Sequence, residues 1–463
     1  MVSFDCSELI AAVDGQLLWG NKERVFNGIT TDSRKVTKDN LFIPLVGERF
    51  DGHDYLEQCF DSGAAICLTQ KSIPQRSNCC AVLVKDTAKA LRDIAAWHRN
   101  KFSIPVVGVT GSVGKTSTKD MIACVLASKL EVLKTQGNFN NEIGLPLTML
   151  NLEEKHEAAV IEMGMSGFGE ISRLTAVAKP QIAVITNIGV SHIEKLGSQE
   201  GILRAKLEIL EGLSPDGLVV LNGDDSLLKE QEGKLGFRTV FYGMSPGLYY
   251  QAENYESMGE EGTCFSISLK GETYKVKVPV PGVHNVYNAL AAIAVGLEMG
   301  IPMETIIEGV ACYSPGNMRQ NIVPHNGLKI INDAYNASPQ SMQAAINVLE
   351  ELSAKTRGIA VLGDMLEMGE MARELHYSVG LFAKDKKIDY LISVGKDAEN
   401  ITRAISDCGN NSIKLSHFDN NSEALDYILG IVKQGDYILI KGSRGMKMEQ
   451  IVEGLLKTET VPE

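Results

Sequence analysis

Short apolar runs recur along this chain. Each ends in polar or glycine-rich residues and is followed by a stretch long enough for a helix. In the first hundred residues the runs are Leu41–Val46 and Ala81–Val84, and Ala88–Arg99 has helical spacing. Further on come Ile104–Val109, Ala158–Met163, Ile182–Thr186 and Leu218–Leu221, with a helix predicted over Lys119–Ala127. Residues 263–280 alternate apolar and polar positions, which predicts an antiparallel edge. Leu290–Leu297 is apolar all round and reads as a buried helix. After a proline-glycine break at Tyr313–Asn317, strands are predicted at Leu328–Asn332, Ile359–Leu362, Tyr390–Val394 and Tyr437–Ile440. Strand-helix alternation of this kind predicts an α/β protein with doubly wound parallel sheets and right-handed crossovers. Three domains are expected, over residues 1–103, 104–315 and 316–463, with Lys101–Pro105 as the first joint.

At 463 residues the chain exceeds what one core supports. The net charge of -13 argues against nucleic-acid or anionic-membrane partners, both polyanions. The nine cysteines are scattered and form no Cys-x-x-Cys, so reduced thiols in a cytoplasmic protein are expected rather than a zinc or dithiol site. The opening residues Met1–Glu8 lack a basic region followed by an apolar run, so no signal peptide is expected. No apolar stretch approaches the roughly 20 residues of a membrane span, so no membrane insertion is expected.

Gly108-Val-Thr-Gly-Ser-Val-Gly-Lys115-Thr-Ser-Thr118 adds chemistry to this pattern. A glycine-rich turn between a strand and a helix cradles phosphate, with backbone N–H groups and a helix N-terminus facing the anion and a lysine reaching the terminal phosphates. The strict P-loop pattern places glycine where Val109 stands; here Gly108, Gly111 and Gly114 recur every third residue. Gly111, Ser112, Gly114, Lys115, Thr116 and Ser117 are therefore nucleotide-binding candidates. In parallel sheets ligands sit beyond the carboxyl ends of strands, where Glu162, Thr186-Asn187 and Asn222–Asp225 fall. Thr116 and Glu162 supply hard oxygens suited to magnesium, although a strand-end glutamate can also be merely solvated. His192 closes Thr186-Asn-Ile-Gly-Val-Ser-His192 and reads as a metal ligand or as a structural histidine. Lys206, judged by its neighbours alone, is a surface lysine. Asn285 and Asn288 share one helical face, which suits polar recognition or simple capping.

These motifs, with Ala205-Lys-Leu-Glu208 and His284-Asn-Val-Tyr-Asn-Ala289 following in order, resemble the Mur ligase family of ATP-dependent amide-forming enzymes over essentially the whole chain. Gly137–Pro146, Asp333–Pro339, Leu362–Gly369 and Lys441–Lys447 resemble the branch that joins D-alanyl-D-alanine to UDP-N-acetylmuramoyl-tripeptide. The Asp-Asn-Pro-Arg motif of the branch that adds the third amino acid is absent.

The resemblance implies a UDP-substrate domain, a central P-loop ATPase domain and a Rossmann-like third domain that closes the site and holds the incoming dipeptide. It implies substrate contacts from Thr31, Ser33, Arg34, Arg49, Asp51 and His53. It assigns Lys115 to the ATP phosphates, and Thr116, Glu162, His192 and the carbamylated Lys206 to the metal site, with two magnesium ions in all. Lys206 matches a lysine that is carbamylated in relatives, although Leu207 replaces a common glycine. Asn285, Asn288, Arg319 and Asp333 are implied nucleotide contacts; the residues flanking Arg319 depart from the commoner pattern. Asn138, Asn140 and Asn141 are not distinguished. A cytoplasmic monomer active in cell-wall synthesis is expected.

The implied reaction makes an acyl phosphate from the tripeptide carboxylate and ATP, and the dipeptide amine then displaces phosphate. Three rivals are a P-loop switch protein, a folylpolyglutamate synthetase and an inactive binding-only relative. The first is opposed by the loops around Asp51–His53 and by the third domain, the second by the separate N-terminal domain, and the third by the intact Lys115, Glu162, His192 and Lys206. The third residue of the tripeptide and the tolerance for other dipeptides are not legible.

Overall fold

The computed structural model describes residues 4–409 and 412–462. The chain forms two compact units, one of Met1–Thr110, Lys129–Ala183 and Leu207–Leu218, the other of Gly111–Ser128, Val184–Lys206 and Val219–Glu463.

In the first unit a five-stranded sheet runs in the order Gln16–Trp19, Cys80–Leu83, Ile66–Thr69, Leu41–Phe42, Ile29–Thr30. Its first pair is antiparallel and the others are parallel. The run expected to be a strand to Val46 joins the sheet only over Leu41–Phe42, with a lone bridge from Val46 to Asp51 beyond it. Pro44 has no N–H to offer a ladder, and the chain turns into the loop that carries Arg49, Asp51 and His53. The helix Thr87–Arg99 begins at the Asp86 cap, whose carboxylate accepts from the N–H groups of Ala88 and Lys89. At its end the buried Arg99 donates to the carbonyls of Ala178, Phe102 and Ile104, which fixes the segment that leads into the next strand. Three more strands, Val132–Lys134, Ala158–Glu162 and Val106–Thr110, pair in parallel and place Glu162 opposite Val109.

In the second unit the helix Lys115–Ala127 starts four residues earlier than its apolar spacing predicts. Gly114, at φ 83°, turns the chain directly into it, so weak helix formers occupy its first turn. Residues 263–280 form the antiparallel pair Thr263–Leu269 and Glu272–Val278, with Tyr250–Ser257 against the first of them. The apolar Leu290–Leu297 lies inside the buried helix Val283–Glu298.

The carboxyl-terminal sheet has the order Asn321–His325, Leu328–Asp333, Tyr437–Lys441, Gly358–Gly363, Tyr390–Val394, Lys414–Phe418. Only the first pair is antiparallel. Alternate residues feed opposite faces: Ile331, Leu362 and Leu439 enter one core, and Ile330, Val361 and Ile440 the other. Helices cover both faces, as expected for a doubly wound sheet. The two edge strands carry too many polar residues to show as apolar runs. Among the described residues no helix is long and apolar enough to cross a membrane.

Candidate functional site

The phosphate loop is held from beneath by the strand end beside it. Thr186 donates its hydroxyl to the Val113 carbonyl at 2.6 Å, and Asn187 accepts from the Val113 N–H at 2.9 Å. The Ser112 N–H donates to the Asn187 carbonyl at 3.1 Å, and the Gly189 N–H donates to the Ser112 hydroxyl at 2.8 Å. Gly111 has φ 148°, and a Cβ there would lie 1.9 Å from the Thr186 hydroxyl, so no other residue fits. Lys115 folds back over the loop and donates to the carbonyls of Gly111 and Ser112 at 2.8 and 3.3 Å.

Thr186-Asn187 and Asn222–Asp225 lie beyond strand ends as expected, but their side chains work inward. Asn222 donates to the Thr186 carbonyl, Asp225 accepts from the Ile188 N–H, and Asp224 accepts from Met244, Ser245 and Tyr287. Asn222 and Asp225 thus brace the segment 186–189 that clamps the phosphate loop.

Lys206 corrects the surface reading. Its helix, Gln199–Leu207, turns it inward, and the side chain is only 2% exposed. Burial and the nearby Lys115 charge push the ammonium well below the ordinary lysine range. His192 sits in the left-handed region at φ 63°, heading the short helix Ile193–Leu196. Burial lowers its imidazolium, and the charges of Lys115 and Lys206 lower it further against the pull of Glu367. Lys115, His192 and Lys206 are thus close enough to repel one another. Glu367 meets the His192 Nδ1 at 2.6 Å.

The asparagine pair is neither free nor a simple cap. Thr118 donates to Asn288 at 2.8 Å, Asn288 donates to Asn285 at 3.0 Å, and Asn285 donates to the Pro281 carbonyl. His284 beside them is bonded to Gln320 at 2.8 Å, and the Gln320 N–H donates to Asp333. The other Asp333 oxygen accepts from Lys441 at 2.6 Å, at the carboxyl ends of neighbouring parallel strands. The Arg319 guanidinium lies 4.0 Å from the Tyr335 ring centre. Ser117 is in hydrogen-bond reach of the buried Tyr313 phenol, whose ionisation burial raises to about 12. Sequence reasoning missed the roles of Lys441, Gln320, His284 and Glu367. Lys441 and Glu367 lie in motifs visible in the chain, but their partners depend on strand order.

In the first unit Glu162 is buried. One carboxylate oxygen accepts from Asn140 at 2.7 Å, and the other is enclosed without a hydrogen-bond partner. An orphaned buried carboxylate oxygen is costly and suits a cation. The three asparagines separate here: Asn140 holds Glu162, and Asn141 caps the next helix by accepting from Ile143 and Gly144. Among the described residues no group of three His, Cys, Asp or Glu forms a metal cage. Magnesium, which keeps water and substrate oxygens, needs none.

The substrate loops also lie in this unit. Asp32 caps Ser33–Lys35 and pairs with the exposed Arg34 at 2.9 Å. Thr31 and Ser33 are half-buried, and Arg49 is exposed. His53 is buried with both ring nitrogens engaged. Nδ1 bonds Asp51 at 2.5 Å, and Nε2 accepts from the Gln70 N–H at 3.0 Å. His53 therefore shapes the loop. Its N–H, with its ring, holds the Asp51 carboxyl down at about 2.

Lys206 gives a pH-dependent stability. Below the ordinary lysine pKa, about 10.4, the unfolded chain holds a proton there that the folded chain resists, so stability rises as pH rises. Lys206→Met, of similar volume, removes that mismatch. Thermal unfolding without nucleotide or CO₂ should show a midpoint higher by about 2 °C or more at pH 7, with the gain shrinking toward pH 10. A lower midpoint at pH 7, or a gain independent of pH, contradicts the burial argument.

Three family models match in order: "Mur ligase family, catalytic domain" over residues 25–99, "Mur ligase middle domain" over 109–296 and "Mur ligase, glutamate ligase domain" over 318–444. The UDP-N-acetylmuramoyl-tripeptide–D-alanyl-D-alanine ligase of Bacillus subtilis is 44% identical over 439 residues, covering 94% of each chain. A crystal structure of MurF from Acinetobacter baumannii has TM-score 0.92 at 30% identity, covering 99% of this chain and 100% of that one. The MurF ligase of Thermotoga maritima in complex with ADP has TM-score 0.83 at 29% identity, covering 93% of this chain and 97% of that one. Matched from end to end in this way, the chain belongs to the Mur ligase family.

Proposed function

We propose that this chain is an ATP-dependent ligase that joins D-alanyl-D-alanine to UDP-N-acetylmuramoyl-tripeptide, giving the pentapeptide precursor of peptidoglycan. The observation that carries the chemistry is the convergence of Lys115, His192 and Lys206 beside a phosphate loop. Relatives named for this reaction match nearly the whole chain, which favours it over the switch-protein and folylpolyglutamate readings.

A carboxylate is a poor acyl donor because it is anionic and resonance-stabilised. In the proposed reaction the tripeptide carboxylate oxygen attacks the γ-phosphorus in line, the bond to ADP breaks, and an acyl phosphate forms. The dipeptide amine then attacks the acyl carbon, loses a proton to solvent and expels phosphate. Lys115 would offset charge on the transferred group, and the backbone N–H groups of Gly111–Gly114 would orient it. Thr116, Glu162 and His192 are the residues that would hold magnesium, which supplies charge neutralisation when bound. The acidic Asp51 loop and the exposed Arg34 and Arg49 would receive the UDP end, with Thr31 and Ser33 donating and His53 setting the loop's shape. Arg319 and Asp333 would reach the nucleotide from the third domain. The functional boundaries we propose are residues 1–103, 104–315 and 316–463, acting as a cytoplasmic monomer.

Lys206 has a further role in this reading. A neutral amine adds to CO₂: an N–C bond forms, a proton leaves to solvent, and a cation becomes an anionic oxygen ligand. Only a lysine held below its ordinary pKa does this readily, and Lys206 is held there by burial and by Lys115.

Two experiments test these proposals. Phosphate release from ATP and magnesium, with each acceptor omitted in turn, should require both the UDP-muramoyl-tripeptide and D-alanyl-D-alanine. Equal release without either would mark a different ATPase. Lys206→Ala should lose ligation, and added formate or acetate should restore part of it. An absence of rescue in a variant that still binds nucleotide counts against carbamylation.

A further inference from the structure

The motif Leu362–Gly369 has no part in the reaction as described so far, yet it reaches the cation cluster. The structure assigns to Glu367 the role of positioning residue for His192, tying one ring nitrogen to the loop of the third domain and so leaving the other for a metal. This inference rests on the magnesium assignment of His192 proposed above.

Glu367 Oε2 lies 2.6 Å from His192 Nδ1. With Nδ1 donating to the carboxylate, Nε2 is the nitrogen with a free lone pair, and among the described residues it takes no hydrogen bond. Metal-bound histidines commonly donate their other ring N–H to a carboxylate, which fixes tautomer and ring plane. Both residues sit in the left-handed region, each at φ 63°. Neither is glycine, so the backbone bears strain on both sides of this contact.

The loop that carries Glu367 is rigidly held. Asp364 accepts from the N–H groups of Asp397 and Ala398. The Met365 N–H donates to His376 at 2.8 Å, and the Leu366 N–H donates to the Ser443 hydroxyl at 2.9 Å. Ser443 belongs to Lys441–Lys447, the motif whose lysine grips Asp333. On the facing side Val190 packs against the core of the carboxyl-terminal sheet, and a Cβ at Gly369 would lie 3.0 Å from Glu194. His192 is therefore fully oriented only while this loop is in place. By linkage, metal at His192 and the seated loop favour each other.

The test is manganese binding by the full-length chain with a non-hydrolysable ATP analogue and UDP-N-acetylmuramoyl-tripeptide, read by electron paramagnetic resonance. The wild-type chain should bind two Mn²⁺ ions. Glu367→Ala should weaken the second ion about tenfold or more and leave the first unchanged. Glu367→Asp should recover part of the loss. In a His192→Ala background Glu367→Ala should have no further effect on manganese. Glu367 is 58% exposed, so its loss should leave the thermal midpoint nearly unchanged. Two equally tight ions in Glu367→Ala, or an undiminished effect without His192, overturns the assignment of Glu367. A wild-type chain that binds fewer than two ions instead overturns the magnesium reading of His192 and leaves nothing for Glu367 to position.

Discussion

Three basic side chains crowded beside one phosphate loop are the constraint on which the rest of the second unit depends. Lys115 raises the cost of charging both His192 and Lys206, Lys206 adds to that of His192, and burial removes the water that would screen Lys206. Such an arrangement is unfavourable in the resting protein and favourable once phosphate anions arrive. The fold imposes it by hydrogen bonds and packing: a strand-end threonine and asparagine clamp the loop, and a helix turns Lys206 inward. The loop's glycine cannot be replaced without displacing Thr186. Local stability is sacrificed at the place where a ligand supplies the missing charge.

The same logic extends outward as hydrogen bonds. Thr118, on the helix that follows the loop, is joined through Asn288 and Asn285 to the turn at Pro281 and His284, and from there through Gln320 to Asp333 and Lys441. Each member uses its polar atoms on its neighbours, so a change at one end alters the partners available at the next. His284 keeps one buried ring nitrogen without a partner, so the chain of bonds is not fully satisfied in this arrangement. Glu367 makes a second and separate link, from the carboxyl-terminal sheet to His192.

Much of the fold was legible because parallel strands buried on both faces leave continuous apolar runs, as at Ile359–Leu362 and Tyr390–Val394. Edge strands escaped for the converse reason: Lys414–Phe418 is mostly polar, and Asn321–His325 contains a proline that only an edge tolerates. Lys115 and Thr116 stood out because strand, glycine turn and helix are contiguous in sequence. Lys206 did not, since its burial comes from packing that local periodicity cannot report. His53 was legible as a loop residue, but its inward role depends on the Gln70 N–H, seventeen residues away. Lys441 and Asp333 meet only because their strands are neighbours, a fact of sheet order that no spacing encodes.

The most direct test of the electrostatic account is the ionisation of Lys206 itself. With ¹³C at lysine Cε, in nucleotide-free and CO₂-free buffer, a pH titration followed by nuclear magnetic resonance assigns its pKa. Lys206 should titrate well below the other lysines and move back toward them in Lys115→Ala. A Lys206 that stays charged up to the ordinary lysine value, about 10.4, would contradict the claim that a buried lysine crowded by neighbouring cations organises this site.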